Sequence, residues 1–153
     1  MSDLTQHPLL IFDGACGSSI QNMHLPAEAW GEHEGCNELL NLTAPEAIET
    51  LHRSFFDAGA MVVESNTFGA APLVLSEYGL QDRSAEINHA AVRIARKAID
   101  GREGKYVAGS IGPGTKLPSL NQVSVDELAE SYAVQIEALV EAGVDMLIFE
   151  TCQ

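Results

Sequence analysis

Basic residues are scarce in this chain: eight Lys and Arg stand against 22 Asp and Glu, a formal net charge of −14 over 153 residues. A surface that acidic repels nucleic-acid phosphates and anionic membranes, so neither is expected as a partner. Long apolar runs are lacking too. None approaches the roughly 18 residues of a membrane-spanning helix. The polar stretch from Met1 to Pro8 has no basic segment leading into an apolar one, so no secretory signal is expected. Cysteine is sparse. Cys16, Cys36 and Cys152 are odd in number, widely spaced and form no CxxC pair, which excludes a disulfide framework and fits reduced thiols in the cytoplasm. The GxxxxGK(S/T) phosphate loop is missing, and the five histidines form no HExxH pair.

What is present is enough apolar material for one core, 46% of the residues. Four short apolar runs stand out: 8–12, 61–63, 106–111 and 146–149. Their length and the turn residues after them predict strands buried on both faces. Helical spacing separates them. Thr43-Ala44-Pro45-Glu46 reads as a capping box opening a helix that ends near Ala58, before Gly59. A weaker helix covers 73–78, and a better one carries Ile87, Ala90, Ala91, Ile94 and Ala98 on one face. Ser124-Val125-Asp126-Glu127 is a second capping box, whose helix is expected to bury Leu128, Tyr132, Ile136, Leu139 and Val140. The stretch 15–42 reads as a long connection with a short helix near 18–23. The order β-α-β-α-β-α-β predicts right-handed crossovers and a parallel sheet. Asp57-Ala58-Gly59-Ala60 and Glu141-Ala142-Gly143-Val144 echo one another, as repeated βα units do.

Functional residues of parallel α/β folds gather at the carboxyl ends of the strands. Those ends carry Asp13, Glu64, Ser110 and Glu150. A carboxylate there loses hydration and needs a cationic or hydrogen-bonding partner. A ligand ammonium is one such partner; an adjacent loop amide is another. The small residues Gly14-Ala15-Cys16-Gly17-Ser18 follow the first acid and would let backbone N–H groups approach an anion, or simply make a tight turn. Side by side, the two would recognise an α-amino acid. Cys16 and Cys152 lie past strand ends but lack a third metal ligand, which favours inert thiols. His52 and His89 fall within helices as surface or packing residues, and Trp30 and Tyr78 are expected to pack in the core. No strand ends in lysine, which disfavours an aldolase-like barrel.

Taken together, these motifs resemble the homocysteine S-methyltransferase family. Asp13-Gly14-Ala15-Cys16-Gly17-Ser18 resembles its Asp-Gly-Ala/Gly-Met-Gly-Thr opening, and Glu64-Ser65-Asn66-Thr67-Phe68 its Glu-Thr-Asn-Thr-Phe. Ser84–Asn88, Val107–Pro113 and Ile148–Thr151 match later blocks in order. Gly35-Cys36-Asn37-Glu38-Leu39-Leu40 with Thr43-Ala44-Pro45-Glu46 looks most like the cobalamin-dependent methionine synthase branch. The likeness runs through the whole chain.

The resemblance implies a (β/α)8 TIM barrel, of which residues 1–153 supply the first four βα units, since a full barrel needs about 250 residues. It implies that Asp13 and Glu150 hold the ammonium of homocysteine, that Gly14 to Ser18 receive its carboxylate, and that Glu64 and Asn66 shape the barrel mouth. Cys16 for Met, Ser18 for Thr and Ser65 for Thr are departures; serine keeps the hydroxyl. The family's zinc is held by three cysteines of the second half of the barrel, expected beyond Gln153. Zinc ionises the homocysteine thiol, of which only a few per cent is thiolate at neutral pH when its pKa is about 8.5. The isolated chain is therefore expected to be inactive. Methylcobalamin, carried by other modules, is the expected donor, and the remaining half of the barrel the expected partner. A betaine- or S-methylmethionine-dependent enzyme is the alternative within the family. A non-catalytic half-barrel that self-associates through its sheet edges is the alternative outside it.

Overall fold

The computed structural model describes Leu4 and residues 7–151. A parallel sheet in the order β1-β2-β3 forms from Val62–Glu64, Tyr106–Ile111 and Met146–Phe149. Its register sets Val63 against Val107 and Ser110 against Ile148. All six residues of β2 are buried, as a central parallel strand requires. The chain is thus α/β with a parallel sheet, as the alternation of apolar runs predicts.

The strand expected over 8–12 is a correction. Only Phe12 bridges to Val62, in parallel. The Ile11 carbonyl accepts from Met61 N–H at 2.7 Å, and Asp13 N–H donates to the Val62 carbonyl at 3.0 Å. Leu9 and Ile11 remain 68% and 50% exposed. A strand exists only where a neighbour supplies the ladder, and here β1 supplies it for little more than one residue. The pairing nonetheless delivers Asp13 to the end of the sheet.

Helices α1 (Cys16–Asn22), α2 (Ala27–Trp30) and α3 (Leu40–Thr43) occupy the long first connection. Thereafter α4 (Pro45–Asp57), α5 (Pro72–Leu75), α6 (Ser84–Ile99) and α7 (Val125–Glu141) follow in turn. Helix α1 begins two residues earlier than expected, which shortens the small-residue loop to Gly14 and Ala15. The first capping box is not made. Thr43 ends α3, its hydroxyl donates back to the Leu39 carbonyl at 3.2 Å, and α4 starts from Ala44 without a side-chain cap. The second is made: Ser124 Oγ accepts from Glu127 N–H at 3.1 Å, and Glu127 Oε2 accepts from Ser124 N–H at 2.9 Å.

Helix α7 buries Leu139 and packs Tyr132 and Ile136 on the core as expected, but its inward face is wider and more polar than expected. Val140 is 58% exposed, whereas Gln135 is fully buried beside Ala138 and Leu139. The Ala-Gly echo is one device used twice: α4 and α7 end at Ala58 and Ala142, and Gly59 and Gly143 turn into the next strand with φ of +108° and +87°. Trp30 packs against the cluster of Ile20, Leu40, Ile48, Leu51 and Ile94, and Tyr78 against that of Cys36, Leu39, Ala70, Leu75, Leu80 and Ile87, in the packing roles expected of them. His52 is buried in α4, and burial lowers its pKa to about 4. Among the described residues, no helix is long and apolar enough to cross a membrane.

Candidate functional site

The carboxyl ends of the sheet open into a cavity of about 420 Å³. Asp13 reaches it from the Phe12 bridge, Glu64 from the end of β1, Ser110 from β2, and Glu150 from just past β3. Gly14, Ala15, Cys16 and Gly17 form one wall, and Asn66 lies in the loop after Glu64. Every expected site residue but one therefore lines a single cavity. Ser18 is the exception, standing exposed in the first turn of α1. Because that helix starts at Cys16, Cys16 and Gly17 enter the wall as its first residues and not as part of a free loop.

The acids are bound to one another. Asp13 Oδ2 accepts the Glu64 backbone N–H at 3.0 Å, so the loop-amide alternative holds for one of its oxygens. The Ser110 hydroxyl donates to Glu150 Oε1. Burial pushes Asp13 up to about 6; its bond from Glu64 N–H opposes this, and the Glu150 charge adds to it. Burial, the charges of Glu150 and Asp13, and a hydrogen bond to the Glu150 carboxyl push Glu64 up to about 7. No Lys, Arg or His is among the described residues lining the cavity. Carboxyls as costly to ionise as Asp13 and Glu64, in a cavity whose described lining holds no cation, make a site complementary to a ligand cation. The same surroundings act on Cys16. Burial first, then Asp13, Glu38, Glu64 and Glu150, push its thiol up to about 12, so it is no nucleophile at neutral pH.

The segment 35–41, marked in the sequence chiefly by the family likeness of Gly35 to Leu40, braces the site. Asn66 Nδ2 donates to the Asn37 carbonyl at 2.7 Å and to Asn41 Oδ1 at 3.1 Å, while Asn41 Nδ2 donates to the Asn66 carbonyl at 2.8 Å. Glu38 Oε1 accepts from Gly69 N–H at 2.7 Å, and burial raises the pKa of its carboxyl. The Cys36-Asn37-Glu38 run carried the signal, since polar residues there flank buried Leu39 and Leu40. Gly112 packs against Phe68, which lines the cavity: its N–H bonds the Phe68 carbonyl at 3.0 Å, and a Cβ there would lie 2.8 Å from that oxygen. Cys152 lies outside the described residues.

The family model described as homocysteine S-methyltransferase matches residues 10–153. The chain belongs to the homocysteine S-methyltransferase family. Among curated members, it is 37% identical to methionine synthase of Mycobacterium tuberculosis (strain ATCC 25618 / H37Rv) over 155 aligned residues, which cover 99% of the chain and 13% of that protein. It is also 37% identical to methionine synthase of Mycobacterium leprae (strain TN), covering 95% of the chain and 12% of that protein. The chain thus spans about an eighth of these family members. Among solved structures, the homocysteine methyltransferase MmuM from Escherichia coli, metallated form, superposes with a TM-score of 0.74 at 23% identity, over 97% of this chain and 56% of that one. Its oxidised form gives 0.73 at 24% identity, over 95% and 53%. These two likenesses show the family fold.

Proposed function

We propose that this chain is the amino-acid-recognising part of a homocysteine S-methyltransferase of the methionine synthase type. Residues 1–153 are the N-terminal half of its (β/α)8 barrel, and the parent protein moves a methyl group to the homocysteine thiol. The observation that carries the reading is the convergence of Asp13, Glu64 and Glu150 on a cavity with no lining cation among the described residues. The ligand ammonium takes the place of that cation against Asp13 and Glu150. The ligand carboxylate sits at the wall of Gly14 to Gly17, where the first turn of α1 offers N–H groups. Curated relatives at 37% identity favour the methionine synthase type over a stand-alone betaine- or S-methylmethionine-dependent enzyme.

Zinc does not fit the residues present. Among the described residues no group of three or more His, Cys, Asp or Glu could hold a metal. Cys16 is held protonated by its neighbours. We therefore assign zinc and cobalamin to other parts of the parent protein and derive no step of this chain through either. What this chain's own residues do is bind and orient the amino acid, as expected of a cytoplasmic biosynthetic enzyme.

Calorimetric titration of the chain with homocysteine, and with the analogue lacking the amino group, tests the reading. A charge-assisted contact contributes about 1.5–3 kcal/mol, so homocysteine is expected to bind at least roughly tenfold more tightly. Equal affinities, or no binding of either, would refute an ammonium site.

A further inference from the structure

Gln135 lies on α7 and does not line the cavity, yet it is fully buried against the sheet. Its Nε2 donates to the Thr67 carbonyl at 2.6 Å and to the Ser110 carbonyl at 3.4 Å. Its Oε1 has no hydrogen-bond partner among the described residues. A buried amide with one end unmet is costly, and an apolar side chain facing the sheet would serve folding better. Nor are the two carbonyls orphans that folding must satisfy. That of Thr67 already accepts Ala70 N–H at 3.0 Å, and that of Ser110 already accepts the Thr67 hydroxyl at 2.8 Å. The amide adds a second bond to each.

Those two carbonyls belong to a buried stitch between the ends of β1 and β2. Ser65 Oγ and Thr67 Oγ1 share a hydrogen bond of 2.7 Å, and Ser110 N–H donates to Ser65 Oγ at 3.3 Å. Ser110 then turns its hydroxyl to Glu150. We propose that Gln135 is a positioning residue: by holding the carbonyls of Thr67 and Ser110 from the helix layer, it fixes the Ser110 hydroxyl and through it the Glu150 carboxylate that receives the ligand ammonium. The inference rests on the amino-acid-binding reading above. It assigns to a helix residue a control over one end of the ligand only. The carboxylate end, on the Gly14 to Gly17 wall, touches this network, among the described residues, only through the longer Cys16 Sγ–Asn66 Oδ1 bond at 3.8 Å.

Gln135→Met keeps the length of the side chain and removes both donors. The expected result is homocysteine affinity reduced roughly tenfold, with affinity for the analogue lacking the amino group unchanged. Ser110→Ala is expected to give a similar loss, and the double variant little more than either alone, as two steps on one path require. Equal weakening of both ligands by Gln135→Met would mean a merely structural role and overturn the proposal. So would additive losses. Should Gln135→Met not fold, the side-chain amide resonances of Gln135 in the unaltered chain decide: they are expected to shift with homocysteine and not with the analogue, and no shift with homocysteine overturns the proposal. Homocysteine binding that is indifferent to Gln135 sinks this inference alone. Absence of homocysteine binding to the unaltered chain sinks the underlying reading and this inference with it.

Discussion

Glu64 shows how a single residue carries both a cost and a function. Its folded pKa of about 7 lies above its ordinary value because burial and two neighbouring carboxyls oppose ionisation. A group whose folded pKa is raised binds its proton more tightly in the folded state, so its contribution to stability is present below the ordinary carboxylate range and is lost as pH rises through about 7. Asp13, at about 6, has the same sign. His52 has the opposite one: held neutral with a pKa of about 4, it contributes stability that is lost as pH falls from 6.5 through that value. Replacing Glu64 with Gln removes one titration and leaves His52 unchanged in both proteins. The melting temperature of Glu64→Gln relative to the unaltered chain is therefore expected to rise by roughly a few degrees between about pH 5 and pH 8. A difference that stays constant or falls across that window would show that the carboxyl is not held as described. The same substitution is expected to weaken homocysteine binding, so stability and recognition move in opposite directions.

At the scale of the element, the two capping motifs make a controlled comparison. Both have the Ser/Thr-x-x-Glu pattern, but only Ser124 exchanges bonds with its Glu; Thr43 is consumed by the end of α3. Ser124→Ala should cost about 1 kcal/mol of unfolding free energy in denaturant titration, whereas Thr43→Ala should cost clearly less. Equal losses would indicate that α4 is capped after all. The helices also show where periodicity is informative and where it misleads. In α6 the expected apolar face, Ile87, Ala90, Ala91, Ile94 and Ala98, is the buried one. In α7 the face includes Ser131 and Gln135, because the carbonyls of Thr67 and Ser110 stand opposite Gln135 and Leu73 N–H stands opposite Ser131. A hydrophobic count cannot see polar groups that are buried only because another element presents a partner.

For the whole molecule, charge is the dominant bulk property. With a formal charge of −14, self-repulsion opposes the compact state and is screened over about 10 Å at 0.1 M salt. Ion pairs such as Arg96–Asp145 at 2.7 Å and Lys97–Glu49 at 2.6 Å join neighbouring elements, but eight cations cannot balance 22 acids. Raising sodium chloride from about 20 mM to about 0.5 M is thus expected to raise the melting temperature by a few degrees, net repulsion outweighing the screened pairs. A fall would mean that the attractive pairs prevail. The two sides of the sheet also leave apolar residues in solvent, Leu9 and Ile11 beside β1 and Phe149 on β3, 68%, 50% and 56% exposed. These are the edges that further strands of the proposed barrel would cover.

The sequence by itself determined the alternation of short apolar segments with helices, the parallel sheet, the family, and the placing of Glu64 and Glu150 at strand ends with Asp13 beside them. Each of these rests on local pattern, period and order along the chain, which a linear string records. Only the tertiary structure decided that residues 8–12 pair at little more than one position, that α1 takes Ser18 out of the cavity, that Glu38 and Asn41 brace the wall, and that Gln135 faces inward. The physical reason is common to all four. Hydrogen bonding and burial are satisfied between elements distant in sequence, and no single segment contains the information about which partner will stand opposite it.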